Sequence, residues 1–198
     1  IHVPEALQKR GKPQGPYGNE NITLKYTDSN IFANSEMTLD VYSQDIENVF
    51  FFSPNLANPD EGYDGGQSII RSEKRGARAT FNTAIDFDGV EATFIYGIDA
   101  LKDTTSQPLV DGRVWVPEME MDSLAGFLQT KWVIHDDVIV KAGVRRESID
   151  LSVDDYETLK LCRSETQCSV PLQVKGDTID YDATTYNIAI KYNWSDSF

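Results

Sequence analysis

Residues 186–194 read Tyr186-Asn187-Ile188-Ala189-Ile190-Lys191-Tyr192-Asn193-Trp194. The even positions are all large and apolar, whereas the odd positions carry two asparagines, a lysine and an alanine. Successive side chains of an extended chain point to opposite sides, so this period of two predicts a strand with one oily face and one wet face. A helix would need apolar residues every three to four positions, and none recur that way here.

The same alternation extends upstream. In one segment Val138, Val140, Ala142 and Val144 oppose Lys141, Gly143 and Arg145. In another, Leu124, Gly126, Leu128, Trp132 and Ile134 oppose Gln129, Lys131 and His135, with Phe127 and Thr130 out of step. Seven strands are predicted in all, near residues 21–32, 36–54, 67–86, 91–105, 120–135, 138–156 and 180–194. Three of their connections are short: Ala33-Asn34-Ser35, the Asp88-Gly89 pair and Asp136-Asp137. Asp-Gly between alternating runs is a strong hairpin signal. The other three connections, 55–66, 106–119 and 157–179, are long and polar. Strands longer than the usual five or six residues, joined by connections that alternate short and long, predict an all-β, antiparallel up-and-down meander of transmembrane-barrel type.

Composition agrees with a folded β protein, having 40% hydrophobic residues, nine Tyr, nine Phe and three Trp. Thirty-two acidic against 18 basic residues give a net charge of −14, which disfavours nucleic acid as a partner. No apolar run nears the roughly 18 residues of a spanning helix, a test that says nothing about barrels. A soluble antiparallel sandwich binding carbohydrate or protein also alternates its faces and is the alternative architecture.

Cys162 and Cys168, five polar residues apart, predict a small disulfide-closed loop in an oxidising compartment, or else two unpaired thiols. His2 and His135 are distant from them in sequence, so no zinc site is predicted. Neither histidine adjoins a nucleophile motif and no glycine-rich phosphate loop occurs, so the chain is not expected to be an enzyme. Asp60, Glu61 and Asp64 lack the ordered spacing of a calcium loop and read as a solvated acidic stretch.

Leu124-Ala125-Gly126-Phe127-Leu128-Gln129-Thr130-Lys131-Trp132, followed by Asp136-Asp137 and Ala142-Gly143-Val144-Arg145, resembles paired strands of TonB-dependent receptors. In that family Phe-x-Gln-x-x-Trp precedes an Ala-Gly-x-Arg strand. Tyr96-Gly97-Ile98-Asp99, Asp111-Gly112-Arg113 and Trp115-Val116-Pro117-Glu118 are similar to its siderophore receptors, and the order is kept from about Gly18 to Phe198. Leu24-Lys25-Tyr26-Thr27-Asp28-Ser29 resembles the ferric hydroxamate or aerobactin receptors within it.

The resemblance implies residues 1–198 to be about seven strands from the middle of a 22-stranded barrel, without the plug domain and the remaining strands. It implies a bacterial outer-membrane receptor lying in lipid, with a ferric siderophore as transported ligand, TonB engaged through the plug, and no resident cofactor or metal. Ligand contacts would come from the lumen and long loops. Arg113 could pair with chelate oxygens beside the Trp115 indole, Tyr63 offers a ring and a hydroxyl, and Arg71 is expected to face the lumen. Arg146 falls on the expected lipid face.

Overall fold

The computed structural model describes residues 15–32, 34–50, 53, 56, 66–134, 137–164 and 167–192. Seven long strands form one antiparallel sheet in chain order: β1 (Gly15–Phe32), β2 (Ser35–Val49), β3 (Ile69–Phe87), β4 (Val90–Pro108), β5 (Val114–Ile134), β6 (Val138–Val153) and, at the end, β11 (Asp177–Tyr192). Between β6 and β11 lie two small ribbons. One pairs β7 (Tyr156–Glu157) with β10 (Gln173–Val174); the other pairs β8 (Cys162–Ser164) with β9 (Gln167–Cys168).

The tight connections are built as their residues require. Asn34 has φ 57° and Gly89 φ 76°, in the left-handed region that asparagine tolerates and glycine enters freely. Register then runs without a shift through the whole of β2–β3, β3–β4, β5–β6 and β6–β11. Because one slipped residue exchanges the faces, this continuity keeps each face intact across the sheet.

The outer face carries Phe87, Ile85, Phe81, Ala79 and Ala77 of β3. Across the sheet it continues with Ile98 and Ala100 of β4, Leu124 and Leu128 of β5, Val140 and Val144 of β6, and Ile188 and Ile190 of β11. From Ala77 to Phe87 is ten residue steps; at about 3.4 Å per residue and a tilt near 40° that is an apolar band roughly 26 Å tall. At its loop-side edge stands a row of charge, Arg75, Lys102, Asp122, Asp150 and Asp180, each the register partner of the next. Ile188, Ile190 and Tyr192 are 75%, 70% and 59% exposed, so among the described residues no second layer covers this row, and the single seven-stranded sheet is not the two-layer arrangement of a sandwich.

Three polar groups near the short-turn end of the band are linked to one another. Ser35, 1% exposed, shares a 2.8 Å hydrogen bond with Thr83, and Thr83 reaches the Tyr96 hydroxyl at 3.5 Å. Phe32, Phe81 and Tyr96 stack over this chain of hydroxyls, and Trp132 meets Phe94 edge to face. An aromatic girdle near the short turns results.

Several boundaries differ from the sequence reading: β2 ends at Val49, β4 at Pro108 and β6 at Val153. β1 begins at Gly15, and β11 begins at Asp177. β5 begins at Val114, so the connection expected over 106–119 shrinks to residues 109–113. Its alternation is disguised by two irregularities: Thr105 pairs with Met119, Gln107 with Val116 and Pro108 with Val114, each step leaving one extra residue in β5, first around Pro117 and then at Trp115. A bulge is where a strand can accept proline, which has no amide hydrogen to donate.

Gly97 allows the closest approach in the wall. A Cβ there would lie 2.1 Å from the Ala79 carbonyl oxygen and 3.1 Å from the Phe127 ring. Gly97→Val is therefore expected to destabilise by about 1–3 kcal/mol or to block assembly. Urea refolding in detergent, followed by heat-modifiable gel mobility, reads this directly.

Candidate functional site

Within β6 the apolar residues change parity. Val138, Val140, Ala142 and Val144 lie on the outer face, but Ile149, Leu151 and Val153 lie on the inner face, with no register shift between them. β5 and β11 do the same. Met119 and Met121 pair with Val153 and Leu151, and Ile179 and Tyr181 pair with Leu151 and Ile149. The oily surface thus passes from the outside of the wall to the inside as the strands rise beyond the charged row. At that height the inner face presents Met121, Leu151, Ile179 and Tyr181, and the outer face presents Asp122, Asp150 and Asp180.

Below this inner apolar surface lies a line of charge. Lys25, Asp40, Arg78 and Asp99 are successive register partners on β1 to β4. Arg145 of β6 reaches across β5 to grip Asp99 with both terminal nitrogens, Nη1 to Oδ2 at 2.7 Å and Nη2 to Oδ1 at 3.1 Å. Ala125, the β5 residue opposite Asp99, is only 2% exposed and too small to obstruct that reach. The same guanidinium donates to Glu147 at 3.1 Å, and Ser123 Oγ donates to Glu147 at 2.7 Å. Arg78 adds a 3.3 Å hydrogen bond to Asp99. Asp40, Arg78, Asp99, Arg145 and Glu147, with Tyr42, line a recess of about 400 Å³. Bidentate guanidinium–carboxylate geometry fixes orientation as well as charge, so this part of the wall is rigid and closely charge-matched.

The described residues among those picked from sequence do not converge here. Arg113, just before β5, donates to Asp111 at 2.7 Å and to the Leu56 carbonyl at 2.7 Å, joining two loop-side connections. Trp115 is half-exposed on β5 itself, not on a loop. Arg71 lies on the outer face, held to Glu47 at 3.2 Å, so the expectation that it faces the lumen is corrected: unbroken β3 register gives it the parity of Ala77 and Ala79. Tyr63, Asp60, Glu61, Asp64 and His135 lie outside the described residues. Cys168 is disulfide-bonded, and the β8–β9 register sets Cys162, the sequence's other cysteine, opposite it. Arg146 is on the outer face, as its parity demands, and turns toward the charged row to meet Asp182 at 3.0 Å and Thr184 at 3.1 Å. Among the described residues no group of three or more His, Cys, Asp or Glu converges on a metal position.

A single meander whose outer face is an apolar band, giving way to Arg146, Ser148, Asp182 and Thr184 toward its loop-side edge on β6 and β11, and whose inner face carries a row of paired charges, is a section of antiparallel barrel wall. No family model matches the chain. Among solved structures it is similar to one named copper transporter OprC, with a TM-score of 0.61 and 12% identity over 93% of this chain and 31% of that one. The chain spans about a third of that protein's length, and the likeness is one of fold.

The Arg145–Asp99 pair is expected to show a coupling of about 1 kcal/mol or more in a double-mutant cycle with Arg145→Leu and Asp99→Leu. Lys25–Asp40, more exposed and 3.9 Å apart, should show coupling near zero. Equilibrium unfolding in urea measures both.

Proposed function

We propose that this chain is part of the barrel wall of a TonB-dependent receptor in the bacterial outer membrane, and that the whole receptor imports a ferric siderophore. The observation that carries this reading is the parity change. A band about 26 Å tall matches the hydrocarbon thickness that an outer-membrane barrel must cover, and the apolar residues turn inward where lipid would end. A soluble sheet has no reason to exchange its oily face along one unbroken strand.

On this reading the inner surface formed by Met121, Leu151, Ile179 and Tyr181 packs the organic body of the chelate, as apolar sites with a few placed polar groups do. The charge ladder below holds the wall rigid beside the path. Transport needs binding and then movement of a plug domain pulled by TonB, with no covalent chemistry, so the protein is not an enzyme and needs no resident cofactor. The likeness to a copper transporter supports transport as the role of the fold, and makes copper the competing cargo.

Uptake of radiolabelled iron in a strain lacking the gene tests this. Loss of uptake of one ferric siderophore, restored by the gene, is expected; unchanged uptake of every ferric siderophore, with copper entry reduced instead, would transfer the assignment. In the complemented strain, Ile179→Asp should raise the half-saturating chelate concentration about tenfold, equivalent to about 1.4 kcal/mol. Asp180→Asn, its neighbour on the outer face, should leave uptake unchanged.

A further inference from the structure

Near the short turns the inner face carries two lysines where charge matching fails. Lys131 of β5 and Lys141 of β6 are direct register partners, an arrangement in which like charges repel. Every other basic residue described on the inner face of β1 to β6 has a carboxylate: Lys25 with Asp40, Lys74 with Asp103, Arg78 with Asp99, and Arg145 with Asp99 and Glu147. Neither Lys131 nor Lys141 makes an ion pair among the described residues, in a chain with 32 acidic residues against 18 basic ones. Glu91, two positions from Thr93 on the same face, pairs with neither. Lys191 of β11 follows two residues after Ala189, the register partner of Lys141, and adds a third positive charge to this face.

The surroundings supply further hydrogen-bond donors. Lys131 and Lys141 line a recess of about 260 Å³ together with Thr93, Gln129 and Asn187. Gln129, Gly143 and Asn187 form one register row across β5, β6 and β11. Because Gly143 has no Cβ, the Asn187 carboxamide lies over it, its nitrogen 2.9 Å from where a Cβ would be. Two ammonium groups, two carboxamides and a hydroxyl around a space of that size match the needs of a single oxyanion.

We infer that Lys131 and Lys141 form a binding site for one oxyanion, a carboxylate or a phosphate, on the inner wall near its short-turn end. The site rests on the inner face being the polar side of the wall and not on which cargo is carried. An anion held between the two ammonium groups replaces their repulsion with two charge-assisted contacts.

The test uses the whole receptor in detergent micelles at constant ionic strength, titrated calorimetrically with inorganic phosphate, acetate or chloride. Saturable binding of phosphate or acetate, tighter than chloride, is expected, and whichever of the two binds more tightly names the source. Lys131→Gln/Lys141→Gln should weaken it by about tenfold or more, while Lys131→Arg/Lys141→Arg should retain it. Without added oxyanion the glutamine variant should melt higher than the wild type, because the repulsion is gone, and phosphate should raise the melting point of the wild type alone. No saturable binding, binding no tighter than chloride, or equal affinity in the glutamine variant would overturn the inference. A receptor that binds the oxyanion but imports no siderophore would refute only the transport reading; one that imports it without binding the oxyanion would refute only this one.

Discussion

Everything in this sheet depends on backbone register staying fixed over long strands. Each side chain's environment is set by whether its position is odd or even, and one slipped residue would carry Arg145 and Lys141 onto the oily side and Val140 and Val144 onto the wet side. Within the seven-stranded sheet, among the described residues, irregularities fall in the β1–β2 and β4–β5 pairings, near Pro16, Phe32, Pro108 and Pro117, toward the strand ends. Through the apolar band of β3 to β11 there are none. The hydrogen-bonded ladder also satisfies the backbone of every strand but the two at the edges, a requirement for any chain placed in hydrocarbon.

Fixed register lets one strand serve two environments in succession. β6 presents valine outward along its first half and isoleucine, leucine and valine inward along its second, with Arg145, Arg146 and Glu147 at the crossover. The two arginines there diverge because they are neighbours on a strand. Arg145 enters the bidentate pair with Asp99 on the inner face, and Arg146 extends along the outer face to Asp182. An arginine beside hydrocarbon is tolerated near an interface at a cost of about 0–1 kcal/mol, because its head can reach polar surroundings.

Much of the fold was legible in the sequence because local chemistry states it: Asp88-Gly89 marks its hairpin, and Tyr186 to Tyr192 mark their faces. β5 was cut short in the reading because Pro117 and its bulge break the alternation on which strands are recognised. Arg71 was assigned to the wrong face because parity must be counted from a fixed register, not from a strand's approximate start. The Asp99–Arg145 contact was illegible for a different reason. The residues are 46 apart with β5 between them, so their meeting depends on Ala125 lying in the gap. The parity change in β6 was present in the sequence all along, in Val144 against Ile149. Reading each strand as having a single oily side concealed it.

The central claim is that even positions face lipid over 138–144 of β6 and 186–192 of β11 while the odd positions between them face water. Single nitroxide labels placed in turn at residues 138–153 and 177–192 of the receptor in bilayers, with collision rates measured for dissolved oxygen and for a water-soluble nickel chelate, test it most directly. A strict two-residue oscillation is predicted over 138–144 and 186–192, oxygen favoured at even positions, and it should vanish on the outer face beyond Asp150 and Asp180. Uniform access of the nickel chelate at Ile188, Ile190 and Val140 would contradict the account.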